Sequence, residues 1–156
     1  MKIRIITVSH KQPEWVNHAF LDYKKRFPKD WNIEFVEIKP EGRHQNKNID
    51  AILLTEKQKI EQALLPQAVN WPLDEHGELI STVNFAKKID TLRQESLNLN
   101  LIIGSADGLH ADLKMPFRNC LALSKMTLPH GLVRVLLIEQ IYRAYTILIN
   151  HPYHRE

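Results

Sequence analysis

Short apolar runs alternate along the chain with longer segments of helical spacing. Four runs have the length and β-branched composition of strands: 3–8, 33–38, 97–103 and 121–126. A fifth run, 68–73, is weaker because it contains Asn70 and Pro72, and proline donates no hydrogen bond to a sheet. Strands that alternate with helices predict an α/β fold with a mainly parallel sheet and helices on both faces.

The segments between these runs have the apolar spacing of helices. In the first, apolar residues recur every four positions and predict the inner face: Trp15, Ala19, Tyr23 and Phe27. Further helices are predicted over 48–65, 81–94 and 129–150, with a short one before Pro116. Asn48 and either Ser81 or Thr82 are the expected N-caps.

The last predicted helix is apolar on more than one side. One stripe suits the sheet: Val133, Leu136, Leu137, Ile141, Ala144 and Leu148. A second set falls largely outside it: Val135, Ile138, Tyr142, Tyr145 and Ile147. A helix that is apolar nearly all round needs a second partner, and the commonest one is a two-fold copy. The pattern favours a homodimer, and coverage by loops or by the N-terminal helix is the alternative.

Composition fits one globular domain over residues 1–156, with 44% hydrophobic and 25% charged residues. The net charge of +3 suits a polyanionic partner without requiring one. A single cysteine, Cys120, excludes an intrachain disulfide and a cysteine-based zinc site. No signal-peptide pattern is present, and charges interrupt the most apolar segment, so we expect a cytoplasmic protein without a membrane span.

Three segments that follow predicted strands are candidates for ligand binding: 73–77, 103–108 and 123–130. In open α/β sheets, ligands bind beyond the carboxyl ends of the strands. Glycine at 77, 104 and 108 allows a close backbone approach to a ligand, although each glycine alone is explained equally well by a tight turn. No G-x-G-x-x-G motif follows the first strand, which disfavours a dinucleotide site.

Histidines near the C-terminus are metal-ligand types, but their spacing does not favour a metal site. His151 and His154 are separated by a proline, and no H-E-x-x-H pattern is present. We therefore expect no bound metal. An acid–base role or simple surface exposure is the better interpretation of His130 and His154.

The most specific pattern lies in the C-terminal third, and matching motifs extend upstream. The motifs are Leu128-Pro129-His130, Val133-Arg134-Val135, Tyr142-Arg143-Ala144, 150–156, Glu14-Trp15-Val16, 26–30, Leu73-Asp74 with Gly77, and Ile102-Ile103-Gly104 with Gly108-Leu109. From end to end, the chain resembles the ribosomal RNA large subunit methyltransferase H family of the SPOUT class.

The resemblance implies a C-terminal trefoil knot, an exception to the rule that chains do not knot. It further implies a homodimer in which two subunits build each site, binding of S-adenosylmethionine, and methylation of N3 of pseudouridine 1915 in 23S rRNA of the 70S ribosome. By position, it implies these cofactor contacts: Leu73, Gly104, Leu123, Ser124, Lys125, Met126, Thr127 and Leu128. It places these residues around the substrate: His130, Tyr153, His154 and Arg155.

Several questions stay open at this point. Ser105 stands where family members often have glycine, Pro72 replaces a strand residue, and Glu78 stands where lysine is common. A SPOUT methyltransferase of another RNA, such as tRNA, and a non-catalytic ribosome-binding module are the alternatives. His130 and His154 are both candidates for the base that removes the N3 proton. The tail after the last helix has little to bury, so we expect it to serve the site and not stability.

Overall fold

The computed structural model describes residues 1–43, 48–114 and 120–154. Its strands form one parallel sheet of order β2-β1-β4-β3-β5. The strands are β1 (Lys2–Val8), β2 (Asn32–Ile38), β3 (Ala68–Leu79), β4 (Asn98–Ile103) and β5 (Leu121–Ala122). The helices are α1 (Glu14–Lys25), α2 (Ile49–Ala63), α3 (Thr82–Gln94), α4 (Ala111–Lys114) and α5 (His130–Leu148). The predicted α/β class and parallel sheet are confirmed.

Helices cover both faces of the sheet because successive strand side chains point in opposite directions. Ile3 and Ile5 of β1 belong to a buried cluster that contains side chains of α1, α3 and α5. Ile6 and Val8 belong to a second cluster, with side chains of α2 and α4. The expected N-caps are also present, since Asn48 accepts a hydrogen bond from the Asp50 amide and Ser81 accepts one from the Asn84 amide.

The second half of the sheet differs from the prediction in strand length. β3 is twice as long as predicted, and Pro72 is buried within it opposite Ile102. β5 pairs with β3 only from Leu73 onward, so a residue without an amide hydrogen is tolerated at position 72. β5 itself ends at Ala122 instead of Met126. The chain leaves the sheet there because the Ser124 hydroxyl accepts a hydrogen bond from the Met126 amide and forms a turn.

α5 is covered within the chain more completely than its pattern predicted. Ile138 is fully buried and Tyr142 is 9% exposed, although both were expected outside the sheet-covering stripe. The rings of Tyr23 and Phe27 pack against Tyr142, so the N-terminal helix and the segment after it cover this side. An aspartate at 138 or 142 would therefore disrupt the core of a single chain. The homodimer stays a prediction that this face does not support.

The predicted inner face of α1 is wrong in its first half and correct beyond it. Val16 and Phe20 are buried, whereas Trp15 is 55% exposed; Tyr23 and Phe27 are half-buried and pack against the core. A strict four-residue repeat drifts around a helix that has 3.6 residues per turn, so a stripe chosen from its first residue can miss the core. Among the described residues, no helix is both long enough and apolar enough to cross a bilayer.

Candidate functional site

A cleft of about 460 Å³ opens between the second half of β3 and the carboxyl ends of β4 and β5. Its walls come from residues 73–76 of β3, where the pairing with β5 shifts register, the loop 103–108, the segment 121–128 and the first turn of α5. These are the three segments that the sequence singled out, brought together because parallel strands end at one edge of the sheet. The volume is within the range of small-molecule sites.

Seven of the eight expected cofactor residues line this cleft: Leu73, Gly104, Leu123, Ser124, Met126, Thr127 and Leu128. The eighth, Lys125, is exposed and is not among the lining residues. The turn between Ser124 and Met126 accounts for this, because Lys125 stands at its outer position. His130, expected near the substrate, also lines the cleft.

The loop 104–108, here called the cofactor loop, requires its glycines for its own shape. The Ser105 amide donates to the Gly108 carbonyl at 3.2 Å, and the Gly108 amide donates back at 2.9 Å. Gly108 has a φ of +86°, and a Cβ at Gly104 would lie 2.4 Å from the Gly108 oxygen. A side chain at 104 would distort this loop before it met any ligand.

Asp74 supplies a negative charge to the wall of the cleft. Partial burial raises the pKa of this carboxyl, but a hydrogen bond from Lys114 at 2.9 Å and one from the His76 amide outweigh it, and the net pKa is lowered. Asp107 and Glu75 line the same cleft. Carboxylates that stay ionised here favour a ligand with a positive centre.

His130 combines access to the cleft with a lowered basicity. Burial lowers the pKa of its imidazole; contact with the Ser105 backbone acts in the opposite direction, and the charge of Arg134 adds to the lowering. Its Nδ1 is buried and has no hydrogen-bond partner within the described part of the chain. The ring is therefore neutral at pH 7 and can accept a proton.

Arg134 forms a buried polar cluster that the sequence analysis did not identify. Its side chain is 3% exposed, and Nη2 donates to Glu37 Oε2 at 2.6 Å. It also donates to Ser9 and Asn17, and its guanidinium lies 4.2 Å from the centre of the Phe35 ring. The available signal was an arginine within the apolar run of the last helix. The cluster fixes α5 one turn after His130.

Removal of Glu37 is expected to destabilise the protein more than removal of Arg134. Glu37→Ala leaves a buried guanidinium without its carboxylate and should cost about 2–4 kcal/mol, whereas Arg134→Met leaves a carboxylate that water can reach and should cost about 1 kcal/mol. Urea denaturation measures both. Asp22→Ala, which breaks the exposed pair with Arg26, is the control and should cost under about 0.5 kcal/mol. Equal costs for Glu37→Ala and Arg134→Met would contradict this account.

The C-terminal tail packs against the second half of α5 through Tyr153. The Tyr153 hydroxyl donates to Glu139 Oε1 at 3.2 Å and lies 3.3 Å from the Tyr23 hydroxyl. Its ring packs edge-on against Tyr142, and the Arg143 guanidinium lies 5.1 Å from the ring centre. Burial and these hydrogen bonds raise the pKa of Tyr153 far above its usual value. The tail therefore contributes contacts to the fold, contrary to the expectation that it would not.

The tail does not meet the cleft of its own chain. Tyr153 contacts Glu139, which lies nine residues after His130 on α5, or about 14 Å at 1.5 Å per residue. Neither Tyr153 nor His154 lines the cleft. His154 is half-buried, and its Nδ1 has no hydrogen-bond partner among the described residues. Arg155, the remaining expected site residue, lies outside the described residues.

Comparison with known proteins agrees with this geometry. A family model described as a predicted SPOUT methyltransferase matches residues 1–154. The chain belongs to the SPOUT methyltransferase family. Proteins named ribosomal RNA large subunit methyltransferase H match it over their full length. The one from Methylobacillus flagellatus is 45% identical over 156 residues, covering 100% of both chains. The one from Dechloromonas aromatica is 42% identical over 156 residues, covering 100% of this chain and 99% of that protein.

Solved structures share the SPOUT fold at low sequence identity. A putative RNA methyltransferase from Bacillus anthracis superposes with a TM-score of 0.55 at 14% identity, over 99% of this chain and 98% of that one. A probable methylase family protein from Haemophilus influenzae gives a TM-score of 0.57 at 12% identity, over 99% of this chain and 70% of that one. These likenesses support the SPOUT architecture of the sheet and its helices.

This SPOUT methyltransferase has a second cleft, of about 450 Å³, beyond the ends of β1 and β2. Basic side chains line much of it: His10, Lys39, Arg43 and Lys59. Glu41 is also in the wall, and its carboxylate pairs with Lys59 at 2.9 Å. Arg43 separates the two clefts, because its guanidinium also contacts the cofactor loop. Residues 44–47, which follow Arg43, lie outside the described part of the chain.

Proposed function

We propose that this chain is an S-adenosylmethionine-dependent methyltransferase that modifies N3 of pseudouridine 1915 in 23S rRNA on the assembled 70S ribosome. The observation that carries the proposal is the cleft in which three strand-end loops meet His130. The full-length identity of 42–45% to proteins named as large-subunit rRNA methyltransferases supports the choice of substrate. A ribosomal substrate implies a cytoplasmic location.

The residues of the cleft fit the proposed cofactor. S-adenosylmethionine supplies a methyl group that its sulfonium charge already activates, so no metal is needed. Lys114 pairs with Asp74, and Arg43 pairs with Asp107. The wall of the cleft also contains Glu75, so one carboxylate remains in excess and favours the positive sulfonium over the neutral product. The cofactor loop consists of small residues and allows a close backbone approach, while Leu123, Met126 and Leu128 supply apolar surface against which an adenosine group can pack.

His130 is the better candidate for the base. Transfer forms an N3–CH₃ bond, breaks the bond between methyl carbon and sulfur, and requires loss of the N3 proton. The neutral imidazole of His130 lines the cleft and can take that proton, which then passes to solvent. His154 does not line this cleft of its own chain, so any part it has in the reaction comes from a second subunit.

We propose a homodimer whose tails complete the sites. Within one chain Tyr153 contacts Glu139, about 14 Å along α5 from His130, and no described tail residue lines the cleft; a partner in two-fold arrangement would place its tail at this cleft. Tyr153 would hold the tail to its own α5, and His154 and Arg155 would face the RNA of the neighbouring site. A trefoil knot in the segment from β4 to α5 is part of the same proposal, and a crystal structure of the dimer would show its path.

Methyl transfer from labelled S-adenosylmethionine tests the function. We expect incorporation into 70S ribosomes, mapping to N3 of one pseudouridine of 23S rRNA, and none into purified tRNA. Lys39 is exposed in the second cleft and can meet an RNA phosphate, so binding should weaken as salt rises. Methylated tRNA would show that the target is another RNA. Cofactor-free binding to ribosomes, without any methyl transfer, would show a binding module instead.

A further inference from the structure

We propose that Arg43 is a positioning residue that sets the shape of the cofactor loop and ties it to α2. The proposal rests on the proposed function only for the identity of the ligand. Arg43 belongs to the segment after β2, which contributes no residue to the wall of the cofactor cleft. It therefore acts on the cleft only through the residues that its guanidinium holds.

Two nitrogens of the Arg43 guanidinium donate hydrogen bonds to side chains of the cofactor loop. Nε donates to Asp107 Oδ2 at 2.6 Å, and Nη2 donates to the Ser105 hydroxyl at 2.9 Å. Ser105 is 5% exposed, so its hydroxyl has little access to water as an alternative partner. A planar guanidinium with donors in fixed directions holds two acceptors at a set separation, which an ammonium group does not do.

The other side of the same guanidinium is held by α2 and its adjoining loop. Nη1 donates to the Glu41 carbonyl, and Nη2 lies 3.8 Å from Glu56 Oε1. Glu56 is 2% exposed, and its Oε2 is buried without a hydrogen-bond partner among the described residues. A buried carboxylate needs a nearby opposite charge, so Glu56 keeps Arg43 at this place.

These contacts make the cofactor loop part of a fixed unit. The mutual hydrogen bonds of Ser105 and Gly108 close the loop, and Arg43 holds that closed turn against α2 from outside the cleft. A loop that is already shaped binds its ligand more tightly, because less ordering is required on binding. Loss of Arg43 should therefore weaken cofactor binding without touching the cofactor.

Calorimetric titration with S-adenosylmethionine tests the proposal in the full-length protein. Arg43→Ala should raise the Kd about tenfold, with kcat at saturating cofactor within about twofold, and Ser105→Ala should raise the Kd about threefold to tenfold. The double variant should bind no more weakly than Arg43→Ala alone, because each single change already removes the same hydrogen bond between Arg43 and Ser105. Lys57→Ala is the matched control, since it breaks an ion pair from α2 to Asp112 that does not reach the loop.

Amide exchange measured by NMR on the free protein separates this inference from the proposed function. Arg43→Ala should speed exchange at Ser105 and Gly108 about tenfold, and Lys57→Ala should not. That result supports the inference even if wild-type protein binds no S-adenosylmethionine, an outcome that would overturn the proposed function. If Arg43→Ala does not fold because Glu56 is left unpaired, Ser105→Ala carries both measurements. Unchanged exchange, or unchanged Kd in folded variants of a protein that binds the cofactor, would overturn the inference.

Discussion

Deletion of residues 153–156 is expected to reduce methyl transfer to ribosomes about a hundredfold or more, while cofactor affinity stays within about twofold. No tail residue described by the structure, up to His154, lines the cofactor cleft of its own chain, so the ligand contacts of the cleft should survive. The reaction should fail because the RNA base loses its positioning by the tail of the second subunit. The loss of the Tyr153 ring contact and hydrogen bonds should also cost about 1–3 kcal/mol of stability.

Tyr153→Phe is the control for the structural part of this effect. It keeps the ring against Tyr142 and loses only the bonds to Glu139 and Tyr23, so it should lower the melting temperature with activity largely retained. Full activity of the deleted form would remove the tail from the mechanism.

Mixed dimers test whether each site is shared. Sedimentation should first give a mass of twice the 18.3 kDa of one chain. A tail-deleted subunit has an intact cleft, and a His130→Gln subunit has an intact tail, so their heterodimer has one complete site of two. Equal mixing should restore about one quarter of wild-type activity, because half of the dimers are mixed. No recovery despite verified exchange would show that each tail acts without the partner's cleft.

His130→Gln is expected to lower kcat about 10²- to 10⁴-fold, the usual contribution of a positioned base. Burial lowers the pKa of His130 from its usual 6.5, so the neutral form predominates at pH 7 and is lost as the pH falls through that lowered pKa. Wild-type kcat/KM should therefore fall on the acid side, with an apparent pKa below 6.5. The variant should lose this acid limb.

His18→Gln is the matched control, since His18 is exposed on α1 and outside the cleft. It should leave both the rate and the pH profile unchanged. An acid limb that persists in His130→Gln would assign the base to another group, and His154 of the second subunit would be the next candidate.

Periodicity along the chain was sufficient for the fold class and for the position of the cleft. Every predicted strand is present, because short apolar runs bounded by turn residues form strands in a small α/β domain. The three loops could be placed at one edge since parallel strands share a direction. The weaker strand prediction through Pro72 was also correct. β3 pairs with β5 only from Leu73 onward, so Pro72 needs no amide hydrogen on that side.

What the sequence did not predict depends on contacts between distant segments. The apolar outer side of α5 predicted a second chain, but aromatic residues around α1 cover Ile138 and Tyr142. The Arg134 cluster joins α5 to Ser9 and Glu37, more than 95 positions away, and no local pattern indicates which carboxylate an arginine will meet. Likewise, Ser105 counted as a departure from the family pattern until its partner Arg43 was visible.

The rigidity of α5 also constrains how this protein can change over evolutionary time. One inserted residue would advance everything beyond it by 1.5 Å and turn it by 100°. Such an insertion between Arg134 and Glu139 would leave His130 in place but swing the anchor of Tyr153 away from Tyr23. The helix thus fixes both the distance and the angle between the cleft and the contact site of the tail. Substitutions on its surface should be tolerated during evolution, whereas insertions and deletions within it should be selected against.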